Sequence, residues 1–153
     1  HMIYKPAKYG AETPWHQDEA YWDPEVFSNG LSVWMPLDSV MKEGGCMQFI
    51  PGSHKGDVKW HRHIDDNPLV HGLMTDDVDP SEAIACPLPA GGATFHHTRT
   101  LHYTAPNTTD NPRRAYILVC SGPEEKRDKP AYRPWQDEER QAMKAAMIDV
   151  EYL

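Results

Sequence analysis

An all-β core followed by one C-terminal helix is what this sequence predicts, and three observations predict it. Fourteen Pro and ten Gly are scattered through 153 residues, cutting the chain into short apolar runs with turn chemistry between them. Helical periodicity is scarce until the final segment. The length and a hydrophobic content of 39% suit a single core rather than two.

Residues 2 to 8 read as a first strand and 14 to 22 as a second. The segment 31 to 38 is apolar and β-rich. Lys42-Glu43-Gly44-Gly45 then turns toward 46 to 50, which reads as a hairpin. Pro51 to Gly56 is turn chemistry, and the polar, acidic stretch 57 to 82 reads as a long surface loop or lid. Extended segments resume at 84 to 88, 93 to 96, 101 to 104 and 114 to 121, with Pro89-Ala90-Gly91-Gly92 as another turn. About eight antiparallel strands in two Greek keys make a jelly roll, the cupin-like double-stranded β-helix. The expected domain spans 2–121. Residues 122–153 form a linker and a helix packed on it. Pro134 stands at the helix start, Asp137, Glu138 and Glu139 complement its positive end, and Trp135, Ala142, Met143, Ala146, Met147 and Val150 recur at i, i+3, i+4, a stripe expected to pack on the barrel.

Fifteen Lys and Arg against twenty-three Asp and Glu leave a net charge of −8 with no basic run, which disfavours a nucleic-acid partner. No apolar run approaches membrane-spanning length and no export signal is visible, so the expected location is cytoplasmic. Cys46, Cys86 and Cys120 are odd in number and widely spaced, the pattern of reduced core thiols rather than of a disulfide framework or zinc ribbon. His1-Met2 reads as the remnant of an expression tag before a start codon.

Nine His and thirteen Asp should produce about one His-x-Asp tripeptide by composition alone. There are two, His16-Gln17-Asp18 and His63-Ile64-Asp65, so context must separate them. The first lies in an aromatic, strand-compatible stretch from Pro14 to Trp22. The second lies in a polar stretch broken by Asn67-Pro68. A strand's period of two puts His16 and Asp18 on one face and Gln17 on the other. With His102 as a lone late histidine, they form a candidate 2-His-1-carboxylate set, which leaves three coordination positions open and suits non-haem Fe(II) and oxygen chemistry. Zinc accepts the same ligands. Arg113 tilts the reading toward iron with a 2-oxo acid, because its guanidinium can grip the far carboxylate of a five-carbon dicarboxylate that chelates the metal; a surface ion pair is the plainer alternative. Thr104 lies on the face of His102 and could add a hydroxyl donor. Of His96 and His97 only one can face inward, and His97 is the weaker candidate for the distal ligand. His54, His61, His63 and His71 lie in turns or the long loop, where exposure is expected.

Three blocks resemble the phytanoyl-CoA dioxygenase family of Fe(II)- and 2-oxoglutarate-dependent oxygenases: Trp15-His16-Gln17-Asp18 with Tyr21 and Trp22, the run from Gly45 to Gly56, and His102-Tyr103-Thr104-Ala105-Pro106-Asn107 leading to Arg113-Arg114-Ala115. The resemblance covers residues 2 to about 121. It implies that His16, Asp18 and His102 bind Fe(II), that Arg113 anchors 2-oxoglutarate, that Trp34 lines the cosubstrate pocket and that Gln17 supports the ligands or faces substrate. It further implies hydroxylation of a small molecule by O2 with release of succinate and CO2. Halogenases of the family replace the carboxylate ligand with a small residue, and Asp18 is present. Family members carry an N-terminal region ahead of the first core strand, so part of the substrate pocket or of the barrel's support is expected to be missing. Two other readings stay open: a degenerate metal-binding core without turnover, and a metal-dependent cupin-like enzyme that is not an oxygenase. Substrate identity and oligomeric state are not legible.

Overall fold

The computed structural model describes residues 1–70 and 72–150, the side chains of 148–150 excepted. His71 and the Val150 side chain of the expected stripe lie outside the described residues. In chain order the strands are β1 (Met2–Lys5), β2 (Thr13–His16), β3 (Val26–Phe27), β4 (Gly30–Pro36), β5 (Met47–Phe49), β6 (Arg62–His63), β7 (Leu73–Met74), β8 (Ile84–Cys86), β9 (Thr94–His97), β10 (His102–Thr104), β11 (Arg113–Ser121) and β12 (Glu125–Lys126), followed by helix α1 (Pro134–Val150).

Eight of these strands form two antiparallel four-stranded sheets, ordered β1-β11-β4-β9 and β2-β10-β5-β8. The strands β3 with β12 and β6 with β7 make two small pairs beside them. The two sheets share one core. Trp34 and Ala115 of the first pack with Met47 of the second, together with Cys46 and Val40, and Phe49, Ala85, Leu88 and Ile117 close around them.

Alternation along the strands decides what faces that core. On β4, Ser32, Trp34 and Pro36 are buried while Leu31 is exposed; on β11, Arg113 and Ala115 are buried while Arg114 and Tyr116 are exposed. Antiparallel register puts facing residues side by side: Trp34 opposite Ile117, Pro36 opposite Ala115 and Ser32 opposite His96. Such partners lie on the same face of a sheet.

The expected hairpin between 31–38 and 46–50 does not form. The turn is there, with Gly45 at φ 81°, but β4 belongs to one sheet and β5 to the other. Between them Val40 exchanges backbone hydrogen bonds with Leu88, which carries the chain from sheet to sheet. Both strands need partners on two sides, and distant segments supply them. The 57–82 stretch is irregular except for the β6–β7 pair and two 3-10 turns, Ile64–Asp66 and Pro80–Glu82. It is fastened to the second sheet where Thr75 N–H donates to the Trp15 carbonyl.

Helix α1 begins at Pro134, where a missing N–H costs nothing. Trp135 is 2% exposed, packs on Ala20 and Leu73, and donates from Nε1 to the Ala20 carbonyl at 3.0 Å. Beyond that first turn the predicted packing fails, since Met143 is 49% and Met147 73% exposed. The periodic spacing made a helix whose Met143 and Met147 find no covering surface among the described residues. Glu19, buried beside the first tripeptide, pairs with Arg99 at 2.9 Å and with Arg127 and Arg133 at 3.4 Å each, which ties the segment after β11 to the turn that carries Asp18. No helix among the described residues is long and apolar enough to cross a membrane.

Candidate metal centre

His16 is the last residue of β2, and Gln17 is still extended at φ −125° and ψ 129° before a 3-10 turn, Asp18–Tyr21, begins. The second strand therefore ends earlier than its predicted limit at 22. The extended backbone through Gln17 keeps the period of two, so Asp18 returns to the face of His16. His102 opens β10 directly opposite His16. One donor atom from each of His16, Asp18 and His102 lies within 4.8 Å of the others.

Backbone carbonyls set the imidazole tautomers. His16 Nδ1 lies 2.8 Å from the Pro14 carbonyl oxygen and His102 Nδ1 lies 2.9 Å from that of Thr100. Each Nδ1–H donates, which leaves a bare Nε2 lone pair on both rings, the form a metal takes. The Nε2 atoms stand 3.7 and 3.6 Å from Asp18 Oδ1, too far for hydrogen bonds and close enough for one cation to reach all three. The other carboxylate oxygen, Oδ2, accepts from Ser32 Oγ at 2.5 Å.

The protonation states also suit a cation. Burial lowers the His16 pKa, against the opposing pull of Asp18. Burial first and the neighbouring His16 second push His102 down to about 3. Burial pushes the Asp18 carboxyl up, yet His102, His96, His16 and the Ser32 hydroxyl outweigh it and hold it well below the usual carboxylate range. Near neutral pH the group is two neutral imidazoles and one carboxylate.

A cavity of about 110 Å³ opens beside these ligands, and Trp34, Thr104 and Arg113 line it too. Arg113 is 3% exposed, and its guanidinium lies over the Trp34 ring at 5.3 Å. Its Nε and Nη1 have no hydrogen-bond partner, nor has Thr104 Oγ1. Among the described residues no carboxylate pairs with it, so the surface ion pair falls instead to Arg114, which grips Asp38 at 2.6 Å. Burial lowers the Arg113 pKa to about 10, still charged at neutral pH. Unmet buried donors are rare because each costs about 1–3 kcal/mol, and here three point to an anionic ligand.

The remaining histidines sort differently from expectation. His54 is exposed. His61 and His63, expected at the surface, are 0% and 4% exposed. His61 Nδ1–H donates to the Lys59 carbonyl at 2.8 Å while Nε2 accepts from Gln17 N–H at 3.2 Å, and His63 Nε2 lies 2.9 Å from the Trp135 carbonyl oxygen. They are packing residues that hold the loop and α1 together. Gln17 belongs with them: its side chain donates to the Arg99 carbonyl and accepts from Lys59 N–H, both at 2.7 Å, so it braces the ligands and does not face the cavity. His96, rather than His97, points inward, and it lines the cavity with Ser32 and Met47. Sequence reasoning left open which of His96 and His97 faces inward and missed Ser32 and Met47; the pairing of β9 with β4 sets Ser32 opposite His96.

The phytanoyl-CoA dioxygenase (PhyH) family model matches residues 1–115. The chain belongs to that family. A solved structure of EvdO2 from Micromonospora carbonacea var. aurantiaca, complexed with 2-oxoglutarate, superposes with a TM-score of 0.84 at 54% identity, covering 88% of this chain and 55% of EvdO2. The epimerase SnoN in complex with Fe3+, alpha ketoglutarate and nogalamycin RO superposes with a TM-score of 0.61 at 26% identity, over 82% of this chain and 50% of SnoN. A Stutzerimonas stutzeri protein named "Probable alpha-ketoglutarate-dependent hypophosphite dioxygenase" is 35% identical over 120 residues, 76% of this chain and 41% of that protein. The chain thus spans about half the length of the relatives it matches, or less.

Proposed function

We propose that this chain forms the catalytic core of a non-haem Fe(II)- and 2-oxoglutarate-dependent dioxygenase that hydroxylates a small molecule. His16, Asp18 and His102 hold the iron. Arg113, Thr104 and Trp34 hold the cosubstrate. The observation that carries this reading is the pairing, in one cavity, of a three-donor metal group with a buried guanidinium that no carboxylate among the described residues pairs with. Two strand orders support assigning the fold as a double-stranded β-helix. Numbering only the eight sheet strands in sequence, they run 1-8-3-6 and 2-7-4-5, as two interleaved Greek keys require. The fastening of Arg127, Arg133 and Trp135 onto residues 19 and 20 supports one unit, a core over 2–121 onto which the linker and the first turn of α1 are fastened, with the rest of 122–153 continuing from it.

Bound together, iron and 2-oxoglutarate supply oxidising chemistry in which O2 is consumed, 2-oxoglutarate becomes succinate and CO2, and a substrate C–H bond is oxidised. The protein's residues supply geometry. His16 and His102 present bare nitrogens, Asp18 contributes the one negative charge, and three of six positions stay open. Arg113 offers paired N–H donors to a distal carboxylate, and Thr104 adds a hydroxyl. Trp34, Met47 and Ile117 give the cavity apolar walls. Asp18 in place of a small residue favours hydroxylation over halogenation.

The test is anaerobic titration of the metal-free protein with Fe(II) and then 2-oxoglutarate, followed by the weak visible charge-transfer band. The band is expected in the parent, absent in Asp18→Ala, and weakened at least tenfold in apparent 2-oxoglutarate affinity in Arg113→Ala, which loses a charge-assisted pair worth about 1.5–3 kcal/mol. A folded, iron-loaded parent without the band would overturn the cosubstrate assignment.

A further inference from the structure

One imidazole at the site has no assigned work. His96 faces inward from β9, is 8% exposed, and has no hydrogen-bond partner at either Nδ1 or Nε2. Its ring lies 4.7 Å from that of His102 and 4.9 Å from that of Phe49. A buried ring with both nitrogens unmet is costly, so the polar groups beside it matter. Asp18 Oδ2 lies 3.7 Å from His96 Nε2.

The two oxygens of Asp18 are treated differently. Oδ1 faces the Nε2 atoms of His16 and His102, at 3.7 and 3.6 Å. Oδ2 faces away from them, takes the Ser32 hydroxyl at 2.5 Å and has His96 beyond it. Register makes this a built arrangement, because Ser32 and His96 are direct partners across β4 and β9 and face the same oxygen from neighbouring strands, Ser32 in hydrogen-bond contact and His96 at 3.7 Å. His96 also falls outside the three-donor group, so it stands behind the carboxylate rather than among the ligands.

From this arrangement we infer that His96 is a positioning residue: it stands beside Ser32 at Asp18 Oδ2 and closes onto that oxygen when the metal is bound, so that Asp18 gives the metal Oδ1 alone. This rests on the ligand set proposed above. A carboxylate free to swing can offer both oxygens and fill a fourth coordination position, which a bidentate 2-oxo acid would then have to win back. The serine hydroxyl already holds Oδ2, and a closure of roughly 0.5 Å would bring His96 Nε2–H within hydrogen-bond range of the same oxygen; together they remove that option, which is how groups behind a ligand tune its geometry.

Anaerobic titration with Co(II) and then 2-oxoglutarate tests this, using the parent, His96→Leu, His96→Gln and Asp18→Ala, with thermal melts to confirm folding. His96→Leu should still bind Co(II), about 10–100-fold more weakly as is usual when a partner of a ligand is removed. Its visible d–d bands should move, and its 2-oxoglutarate affinity should fall. His96→Gln, which keeps an N–H donor of similar reach, should move both back toward the parent. A folded His96→Leu with parental bands and affinities, alongside an Asp18→Ala that binds no Co(II), would overturn the role of His96 and leave the ligand set standing. Bands showing one nitrogen ligand fewer in both His96 variants would overturn it differently, by making His96 a ligand. Parental Co(II) binding by Asp18→Ala would overturn the ligand set itself, and this inference with it.

Discussion

The chain writes the same spacing twice, His16-Gln17-Asp18 and His63-Ile64-Asp65, and folds the copies to opposite ends. Both histidines are shielded from solvent and both use a ring nitrogen on a backbone carbonyl, Pro14 for one and Trp135 for the other. The difference lies in the residues that follow. After His16 the backbone stays extended through Gln17, so Asp18 lands on the same face, with a second histidine opposite on β10. After His63 the chain coils at once, and Asp65 sits in left-handed backbone at φ 58°, exposed. His63 spends its Nε2 on the carbonyl of α1, whereas His16 keeps Nε2 bare. A tripeptide is a ligand pair only when backbone conformation delivers both side chains to one side and leaves the lone pairs unspent.

Exchanging the carboxylate for an amide at each copy is the most direct way to break this contrast. Asp18→Asn should abolish saturable Fe(II) binding in anaerobic titration, because the one negative charge of the site is gone. Its thermal melt should remain cooperative, since Ser32 and His96 can still meet an amide. Retained binding would mean that the metal does not depend on the first tripeptide.

Acid should produce the next largest effect, through the imidazoles around the first copy. His102 is pushed down to about 3 and His61, which braces Gln17, to about 4, from an ordinary 6.5, burial being the largest cause for both. The folded state stays neutral at these rings while the unfolded chain takes up protons below pH 6.5. Stability is therefore present above 6.5 and lost as pH falls, by about 2 kcal/mol per histidine between pH 6.5 and 5. Urea melts of the metal-free protein across that range should show it, and His61→Leu should have a shallower slope. A flat profile would remove the burial argument for the site.

The smallest effect should come from Asp65→Asn. Asparagine tolerates left-handed backbone as aspartate does, and the side chain is exposed. Stability should change by no more than about 0.5 kcal/mol, and Fe(II) binding by nothing measurable. Weakened binding there would show that the second copy is coupled to the metal centre after all.

Much of this was legible beforehand. Local pattern located the strands that carry Trp34, His102 and Arg113, because alternation and turn chemistry are written into neighbouring residues. It also set the helix start at Pro134. What failed shares a cause. The Gly44-Gly45 turn looks like a hairpin locally, yet β4 and β5 bury themselves against β9, β11, β8 and β10, segments far away in sequence. His61 and His63 lie in a polar stretch, and only packing against Trp135 and Gln17 puts them inside.

By itself the sequence determined the donor types, their strand periodicity and the family. Those depend on side-chain chemistry and on short-range backbone preference. Tertiary structure alone decided which histidines keep a free lone pair, that Arg113 is buried with no carboxylate partner among the described residues, and that Ser32 and His96 face one oxygen of Asp18. Those are properties of strand register between distant segments, set when two sheets close on a shared core.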